Sequence, residues 1–254
     1  MHLRETGSTN DCARELAEAG APHGTLVTAS SQSAGRGRQG RSWSAPAGSS
    51  LLMSLLLRSS ATPGNTTDGE PPRVPPPAQL GLLPLIAAVA VCDVAGENAL
   101  IKWPNDIVLV RSDGRAGIRS PGRPLAKLAG ILVEGRPQAG WAVLGIGLNV
   151  AVRLDELPAE LQAGAATLGY GRDAIEPTLE RLLAALARRL AEPTEQTLDA
   201  WRSRDALHGC EIAWGSDRRG RAQGIDAAGH LLVALDDDGQ IALDAGEVHL
   251  SLAG

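Results

Sequence analysis

The stretch KLAGILVEGRPQAGWAVLGIGLNV, residues 127–150, contains two apolar runs separated by a short segment rich in glycine and proline. The runs at 127–134 and 141–150 are rich in Val, Ile and Leu and are bounded by glycine, a pattern typical of buried β-strands. The stretch therefore predicts two strands in a sheet, joined by a turn.

Upstream of this pair, apolar runs predict four further strands, at 24–30, 51–57, 100–103 and 107–110. A helix is predicted at 8–20, where Ser8 or Thr9 would cap the first turn and Gly20 would end it. A second helix is predicted at 80–98, with Pro84 in its first turn.

Two segments have the composition of surface insertions rather than of helices or strands. Residues 59–79 are rich in Pro, Gly, Ser and Thr, and residues 111–124 are rich in Arg, Gly, Ser and Pro. Segments of this kind bury few apolar groups, so both are predicted to be flexible surface loops.

Downstream, an amphipathic helix is predicted to start near Pro177 and end before Pro193. Its signal is a set of leucines at helical spacing: Leu179, Leu182, Leu183, Leu186 and Leu190. A shorter helix that carries Leu198 and Trp201 follows.

After residue 205 the pattern changes to short strands separated by Gly and Asp turns. These strands are predicted at 210–214, 219–225, 230–235, 240–243 and 247–250. Short strands in such close succession indicate a small β-barrel. The chain therefore reads as a domain of strands and helices followed by an all-β unit.

Composition excludes several classes of protein. The 24 basic and 29 acidic residues give a net charge of −5, which provides no overall positive field for nucleic acid. No apolar run reaches the roughly 18 residues of a membrane span, and no secretory leader follows Met1. Cys12, Cys92 and Cys210 are far apart, so we expect reduced thiols rather than disulfides or a zinc site. A soluble cytoplasmic protein is predicted.

Lysine is rare in this chain. Of the 24 basic residues only Lys102 and Lys127 are lysine, and a coding bias explains arginine at exposed positions, where either cation serves. The two retained lysines indicate chemical roles, because the planar fork of arginine does not imitate a compact ammonium. An apolar strand would carry the Lys127 ammonium into the interior or a cleft. A strand-end lysine that reaches solvent is the alternative.

The segment GRGRQGR, residues 35–41, indicates an anion-binding loop. No acidic residue lies between Glu18 and Asp68, a region that contains four arginines: Arg36, Arg38, Arg41 and Arg58. Glycines allow close approach of the backbone to a ligand, and arginines bind phosphate or carboxylate with paired hydrogen bonds. A solvated basic loop, or a patch that contacts RNA, is the alternative.

Two more segments combine turn residues with polar groups. KWPND, residues 102–106, places a cation, an aromatic ring and a carboxylate around a tight turn. A plain hairpin turn explains Pro104, Asn105 and Asp106, but not a lysine in a chain that avoids lysine. GIGLN, residues 145–149, ends a strand with two glycines and an amide, a weak signal because a dinucleotide fingerprint needs a third glycine.

Together these segments resemble the biotin–protein ligase family. The motifs follow the family's order: GSTND at 7–11, Gln32 followed by GRGRQGR, KWPND, KLAGILVE at 127–134 and GIGLNV at 145–150. The segment GQIALDAGEVHL, residues 239–250, is similar to the family's SH3-like C-terminal barrel.

The resemblance implies an α+β fold, a mixed sheet with helices related to class II aminoacyl-tRNA synthetases and lipoate ligases. It implies a catalytic domain at 1–204 that binds biotin and ATP, and an SH3-like barrel at 205–254. The chain departs from the family in the long spacing between Asp106 and Lys127 and in the proline-rich insertion, both of which read as loop growth. Because GSTND starts at Gly7, we expect a monofunctional ligase without the DNA-binding domain that some members carry.

The implied reaction has two steps. The biotin carboxylate attacks the α-phosphate of ATP, with Mg²⁺, to give biotinyl-5′-AMP and pyrophosphate. A lysine of a biotin carboxyl carrier domain then takes the biotinyl group and AMP leaves. Two anions meet in the first step, so the site must supply cations that offset their repulsion. The carrier domain is the expected partner, with no DNA and no membrane, and the oligomeric state stays open.

The resemblance also implies roles for individual residues. Lys127 would lie between the biotin carboxylate and the ATP phosphate, and Arg36 and Arg38 would close over both ligands. Lys102 would be a further positive charge near the phosphates. Asp106 would bind Mg²⁺ or orient the incoming amine. The catalytic set is thus Lys127, Arg36, Lys102 and Asp106. The biotin set is Ser8, Thr9, Asn10, Gln32, Arg36, Gly37, Arg38 and Lys127, and the nucleotide set is Arg38, Arg41, Trp43, Asn105 and Asn149.

Other functions are weighed against this one. Attachment of lipoate or octanoate uses the same fold, but GRGRQGR and KWPND favour biotin. A biotin-sensing transcriptional regulator would bind DNA, which the net charge of −5 disfavours. An RNA-binding module needs aromatic stacking platforms, and the chain has five Trp, one Tyr and no Phe. For Ser8 and Thr9, helix capping alone is the alternative to a role in biotin binding.

Overall fold

The computed structural model describes residues 1–58, 81–110, 124–136, 140–244 and 248–250. The predicted insertions at 59–79 and 111–124 lie outside the described residues, apart from Pro124. So do residues 137–139 of the connection between the two strands predicted in residues 127–150.

Seven strands form a mixed sheet in the order β1-β2-β3-β7-β6-β5-β4. The β1–β2 pair is parallel, and each of the other neighbouring pairs is antiparallel. The strands β1 to β7 are His2–Leu3, Leu26–Ala29, Ser50–Arg58, Ala99–Lys102, Asp106–Val110, Leu125–Arg136 and Trp141–Asn149. The predicted strands are confirmed with shifts of one to two residues at most ends; only β1 was not predicted.

The central strand β7 is apolar throughout because both faces of the sheet are covered. Ala142, Leu144, Ile146 and Leu148 belong to the main core, which contains the long helix packed on that face. Trp141 and Val143 point to the opposite face and belong to a second core cluster with Ala13 and Ala17. Side chains alternate between faces along a strand, so a strand buried on both sides reads as one continuous apolar run.

The helices are α1 at Thr9–Glu18, α2 at Leu83–Ala95, α3 at Ala159–Gln162, α4 at Ile175–Ala191 and α5 at Thr194–Arg202. Pro84 lies in the first turn of α2 as predicted. Helix α3 was not predicted. Ser8 occupies the N-cap position of α1 but makes no side-chain capping hydrogen bond, so the capping interpretation is wrong for Ser8.

The C-terminal part forms a five-stranded antiparallel sheet in the order β11-β10-β9-β8-β12. The strands β8 to β12 are Glu211–Trp214, Arg218–Ile225, Leu231–Ala234, Gln240–Leu243 and Val248–Leu250. The predicted small β unit is therefore confirmed. Within the described residues, no helix is both long enough and apolar enough to cross a membrane.

The linker between the two parts pairs with the edge strand of the large sheet. The Ile101 N–H donates to the Arg204 carbonyl at 2.8 Å, and the Ala206 N–H donates to the Ile101 carbonyl at 2.9 Å. The Trp103 indole Nε1 donates to the carbonyl of Gly229 in the β9–β10 turn at 3.1 Å. This hydrogen bond connects the turn that contains KWPND with the C-terminal sheet. The boundary between residues 204 and 205 stays a prediction.

Asp205 lies in this linker, and its environment couples stability to pH. Burial raises the pKa of Asp205 from 3.8 to about 6, while backbone hydrogen bonds from Leu207 and His208 act in the opposite direction. An acid whose pKa is raised on folding binds more protons in the folded than in the unfolded state between these two values. The free energy of unfolding therefore falls as the pH rises from about 4 to about 6, and this contribution is constant above that.

We expect Asp205→Asn to remove this contribution. Relative to the parent protein, the variant should gain about 2–3 kcal/mol in the free energy of unfolding between pH 4 and pH 7, since each pKa unit corresponds to about 1.4 kcal/mol. Urea unfolding across this pH range measures the difference. The exposed Asp217, changed to Asn, controls for the loss of one surface carboxylate. Parallel pH profiles for the parent and Asp205→Asn would contradict the expectation.

Candidate functional site

A cavity of about 300 Å³ lies on the face of the large sheet that α1 covers. Along this face of β7, Trp141 and Val143 are followed by Gly145 and Gly147, so the packed core gives way to open space. The volume is at the lower end of the usual range for small-molecule sites. Most of the predicted site residues line the cavity: Ser8, Thr9, Asn10, Gln32, Arg36, Gly37, Arg38, Arg41, Trp43, Asn105, Asp106, Lys127 and Asn149.

Lys102 is the predicted site residue that the structure does not bring to this cavity. It is the last residue of β4, opposite Asp106 of β5 in the strand register, and its side chain is half-buried. It does not belong to the lining of the cavity. Its predicted role as a charge near the phosphates stays a prediction.

Lys127 and Asp106 form an ion pair in the cavity. The Lys127 Nζ lies 2.7 Å from the Asp106 Oδ1. The backbone of Lys127 is fixed as well, because its N–H donates to the Gly164 carbonyl at 2.7 Å and its carbonyl accepts from the Ala166 N–H at 2.8 Å. The ammonium thus lies in a cleft rather than reaching away from the domain, which was the first of the two sequence interpretations.

Trp43 lies across a pair of glycines. Gly130 of β6 and Gly147 of β7 are directly opposite each other, and a Cβ on Gly147 would come within 2.6 Å of the Trp43 ring. A Cβ on Gly130 would come within 3.1 Å of the same ring. The Lys127 Nζ is 5.7 Å from the ring centroid, within the range of a cation–π contact. The Trp43 Nε1 is buried without a hydrogen-bond partner in the described residues, so it can donate to a ligand.

The start of α1 forms a buried polar cluster at the other end of the cavity. Thr9 donates to the Gln32 Oε1 through its N–H at 2.7 Å and through its hydroxyl at 3.0 Å. The Asn10 Oδ1 accepts from the Ser54 hydroxyl at 2.6 Å. Thr9, Asn10 and Ser54 are all buried, and buried polar groups are stable only when they are paired. These residues can therefore hold a polar ligand group in a fixed orientation.

Gly145 makes room for Asn10. A Cβ at this position would lie 2.1 Å from the Asn10 Oδ1, which no side chain tolerates. Together with Gly147, this gives the GIG sequence a physical reason. In the sequence these two glycines are only a weak signal when they are compared with nucleotide-binding loops. A glycine inside a buried strand, which marks close approach of another group, was the signal available.

The glycine–arginine loop is held by acidic residues from elsewhere in the chain. The Arg36 Nη1 donates to the Asp11 Oδ1 at 2.8 Å, and its Nη2 donates to the Glu134 Oε1. The stretch of sequence around the loop has no acidic residue and does not indicate these partners, because they come from α1 and β6. The motifs GSTND and KLAGILVE contain both carboxylates, but nothing in either motif relates them to Arg36.

The two predicted nucleotide-contacting amides bind the protein backbone. The Asn105 Nδ2 donates to the Ile131 carbonyl at 2.7 Å, and the Asn149 Nδ2 donates to the Ala166 carbonyl at 2.9 Å. The Asn149 Oδ1 also accepts from the Ser50 hydroxyl at 3.1 Å. Both side chains thus fix neighbouring segments of the cavity wall, and a ligand would meet their remaining atoms.

The sequence motifs did not indicate one wall of the cavity, which is formed by residues 157–165. The segment from Leu157 to Ala165, which includes α3, contributes Leu157, Glu160, Leu161 and Gly164 to the lining. Its sequence, LPAELQAGA, reads as an ordinary polar helix turn. The large apolar side chain of Leu161 is 42% exposed, which is typical of a residue that faces a ligand or partner rather than a core.

A single cavity combines apolar lining residues such as Leu52, Met53 and Ile131 with a buried polar cluster and several cations. No cluster of three or more potential metal ligands occurs in the parts of the chain that the structure describes. The cations Lys127, Arg36, Arg38 and Arg41 all line the cavity. Such a site fits an anionic ligand that also carries apolar and polar neutral parts.

Comparisons with known proteins agree with this site. Residues 3–150 match the model of the biotin/lipoate A/B protein ligase family, and residues 217–251 match that of the biotin protein ligase C-terminal domain. The biotin–[acetyl-CoA-carboxylase] ligase of Mycobacterium tuberculosis is 32% identical over 266 residues, which cover 97% of this chain and 86% of that protein. The bifunctional ligase/repressor BirA of Bacillus spizizenii is 36% identical over 168 residues, which cover 63% of this chain. The match spans 43% of that longer protein.

A solved structure shows the same fold. The biotin protein ligase from Aquifex aeolicus, in complex with biotin and ATP, superposes with a TM-score of 0.70 and covers 99% of this chain and 97% of its own. The sequence identity is 23%, so the likeness concerns the fold. Most of the predicted site residues line one cavity. The family model spans α1 and the strands β2 to β7, and the M. tuberculosis relative is 32% identical over 97% of this chain. The chain therefore belongs to the biotin/lipoate A/B protein ligase family.

Proposed function

We propose that this protein is an ATP-dependent biotin–protein ligase, which forms biotinyl-5′-AMP and transfers biotin to a lysine of a biotin carboxyl carrier domain. The observation that carries the proposal is the division of the cavity: the buried polar cluster of Thr9, Asn10 and Gln32 lies at one end, and the Lys127–Asp106 pair lies at the other. Biotin has a polar ureido ring, an apolar chain and a carboxylate, and the cavity offers matching surroundings for each.

In the first step a carboxylate oxygen of biotin attacks the α-phosphorus of ATP, and the bond from that phosphorus to the bridging oxygen breaks to release pyrophosphate. The ammonium of Lys127 offsets the repulsion between the two anions and stabilises the charge that develops at phosphorus. Arg36 and Arg38 belong to the adjacent loop and line the cavity, where their guanidinium groups add positive charge.

In the second step a carrier lysine amine attacks the acyl carbon, and the bond from that carbon to the AMP oxygen breaks. The amine must lose a proton to give a neutral amide. Asp106 is the carboxylate beside Lys127, and we assign it the task of orienting the amine and taking that proton. The name of the M. tuberculosis relative supports a biotin carboxyl carrier domain as the partner; DNA and membranes are not part of the proposal.

Mg²⁺ would enter with the nucleotide. Mg²⁺ is usually held by one or two carboxylates together with substrate phosphates. Among the predicted site residues, Asp106 is the carboxylate that lines the cavity, and it is bound to Lys127. This donor set fits an ion carried by ATP phosphates rather than a resident metal. A reaction that consumes ATP, together with three free thiols, supports the cytoplasm as its location.

The test is direct. The protein is incubated with ATP, Mg²⁺ and biotin, and biotinyl-AMP is measured by mass spectrometry, with lipoate and octanoate in parallel reactions. Biotinyl-AMP from biotin, with no adenylate from the other two acids, is the expected result. Adenylate from lipoate alone would replace the proposal by the related lipoate ligase function, and no adenylate from any acid would overturn both.

The glycine–arginine loop is expected to become more ordered when ligand binds. Gln39 and Gly40 adopt positive φ angles of 55° and 73°, and residues 39–42 are exposed. Trypsin should therefore cleave after Arg38 or Arg41 in the ligand-free protein, and biotin with ATP should suppress this cleavage by about tenfold or more, because local opening must precede cutting. Arg36 is already paired with Asp11 and Glu134 in the ligand-free protein, so the expected ordering concerns the exposed residues after it. Equal cleavage rates with and without ligand would contradict the prediction.

A further inference from the structure

Glu134 connects two residues of the site without lining the cavity itself. Its Oε1 accepts a hydrogen bond from the Arg36 Nη2, and its Oε2 accepts one from the Asn10 Nδ2 at 2.8 Å. Arg36 belongs to the glycine–arginine loop and Asn10 to α1, while Glu134 belongs to β6. The Glu134 carboxylate thus connects the exposed glycine–arginine loop with the buried amide of Asn10.

The contact fixes how Asn10 is oriented. A carboxylate accepts hydrogen bonds and does not donate them, so the amide nitrogen of Asn10 must face Glu134. Its oxygen then faces the Ser54 hydroxyl at 2.6 Å. The Asn10 Nδ2 also reaches the Leu132 carbonyl, at the longer distance of 3.4 Å. Without Glu134, the amide would depend on this longer contact to resist a 180° rotation, which would exchange donor and acceptor at the polar end of the cavity.

The same contact restrains Arg36. The side chain of Arg36 is 40% exposed, whereas that of Glu134 is only 18% exposed. A free arginine side chain on a glycine-rich loop loses rotamer entropy when it binds an anion. Asp11 holds the other guanidinium nitrogen at 2.8 Å, and Arg14 contacts both carboxylates at 3.0 and 3.8 Å. Two carboxylates therefore hold Arg36 before any ligand arrives.

We propose that Glu134 is a positioning residue for biotin binding, which acts by holding the Arg36 guanidinium and the Asn10 amide in their binding orientations. The inference rests on the proposed function and adds a residue to it. Its physical basis is preorganisation: side chains ordered in advance lose less entropy when the ligand binds. The opposite role, in which Glu134 competes with the ligand for Arg36, predicts the opposite sign in a binding experiment.

The experiment replaces Glu134 with glutamine, which keeps the size of the side chain but removes its charge. We expect the Kd for biotin, measured by calorimetry without ATP, and the KM for biotin to rise about tenfold, while kcat for biotinyl-AMP formation falls by a smaller factor. The matched control is Asp93→Asn. Asp93 has a side chain 16% exposed and bridges Arg188 and Arg189 at 2.7 and 2.8 Å, away from the cavity. This control should leave the Kd for biotin unchanged.

A double-mutant cycle tests whether Glu134 acts through Arg36. In an Arg36→Ala background, Glu134→Gln should change the Kd by at most about threefold, the part that remains through Asn10, because coupled residues are not additive. A full tenfold effect in that background, an unchanged Kd in the single variant, or a lower Kd would each overturn the proposal. If Glu134→Gln fails to fold, Asp11→Asn, which removes the other partner of Arg36, must raise the Kd instead. A parent protein that binds no biotin would refute the proposed function itself.

Discussion

Replacing Lys127 with alanine is expected to slow biotinyl-AMP formation by about 10²–10³-fold, the usual cost of removing one preorganised electrostatic contact. The ammonium lies in the cavity, 2.7 Å from Asp106 and 5.7 Å from the centre of the Trp43 ring. Without it, the attacking carboxylate and the phosphate lose the charge between them. Quenched-flow measurement of biotinyl-AMP at saturating biotin and ATP reports the step directly.

Two further variants separate the missing charge from its side effects. Lys127→Ala leaves the Asp106 carboxylate without its ion-pair partner Lys127. Combining it with Asp106→Asn removes that negative charge as well. The double variant should stay at least about 100-fold slow, since a neutral amide does not replace the cation. Lys127→Arg should recover only part of the rate, because a planar guanidinium does not occupy the place of a point charge. A folded Lys127→Ala protein with a near-normal rate would exclude this lysine from the mechanism.

Sequence alone predicted most of the large sheet because its strands are locally encoded. The apolar runs that became β3, β6 and β7 need no knowledge of their partners, and Pro84 marks the first turn of α2 whatever packs beside it. That most of the predicted site residues line one cavity has a different reason, since they were chosen from motifs similar to those of a known family. Neither signal depends on contacts between distant parts of the chain.

What sequence reasoning missed depends on such contacts. Arg36 meets Glu134, which is 98 positions away in the chain, so an acid-free stretch around the loop looked unpaired. Ser8 has the residue type of a helix cap but makes no side-chain capping bond, and the neighbouring Thr9 binds Gln32, which lies 23 positions away in the chain. The wall that contains α3 carries no motif. In each case the fold brings together residues that are distant in the chain, and the local sequence pattern does not indicate such contacts.

The glycines of β7 were visible in the sequence, but their role was not. Replacing one of them is expected to have a large effect on biotin binding. Gly145→Ala should weaken biotin binding by about 100-fold. The new Cβ would lie 2.1 Å from the Asn10 Oδ1, and β7 is the central strand, so its backbone cannot retreat. Asn10 must move, which breaks its bonds to Ser54 and Glu134. A displaced amide no longer presents its polar atoms to the ligand. Each hydrogen bond to biotin that is lost in this way costs about 1–3 kcal/mol, and 2.7 kcal/mol corresponds to 100-fold in affinity. Calorimetric titration with biotin measures the change.

The same substitution should lower the free energy of unfolding by about 1–3 kcal/mol, the usual cost of overpacking. Gly81→Ala is the control, because a Cβ there meets nothing within 4 Å. Adding Asn10→Ala to Gly145→Ala removes the colliding oxygen, so the double variant should be about as stable as Asn10→Ala alone. Biotin binding should stay weak in that variant, since the amide itself is gone. If the double variant instead bound biotin as the parent does, the buried amide would have no part in the site, and Gly145 would serve packing alone.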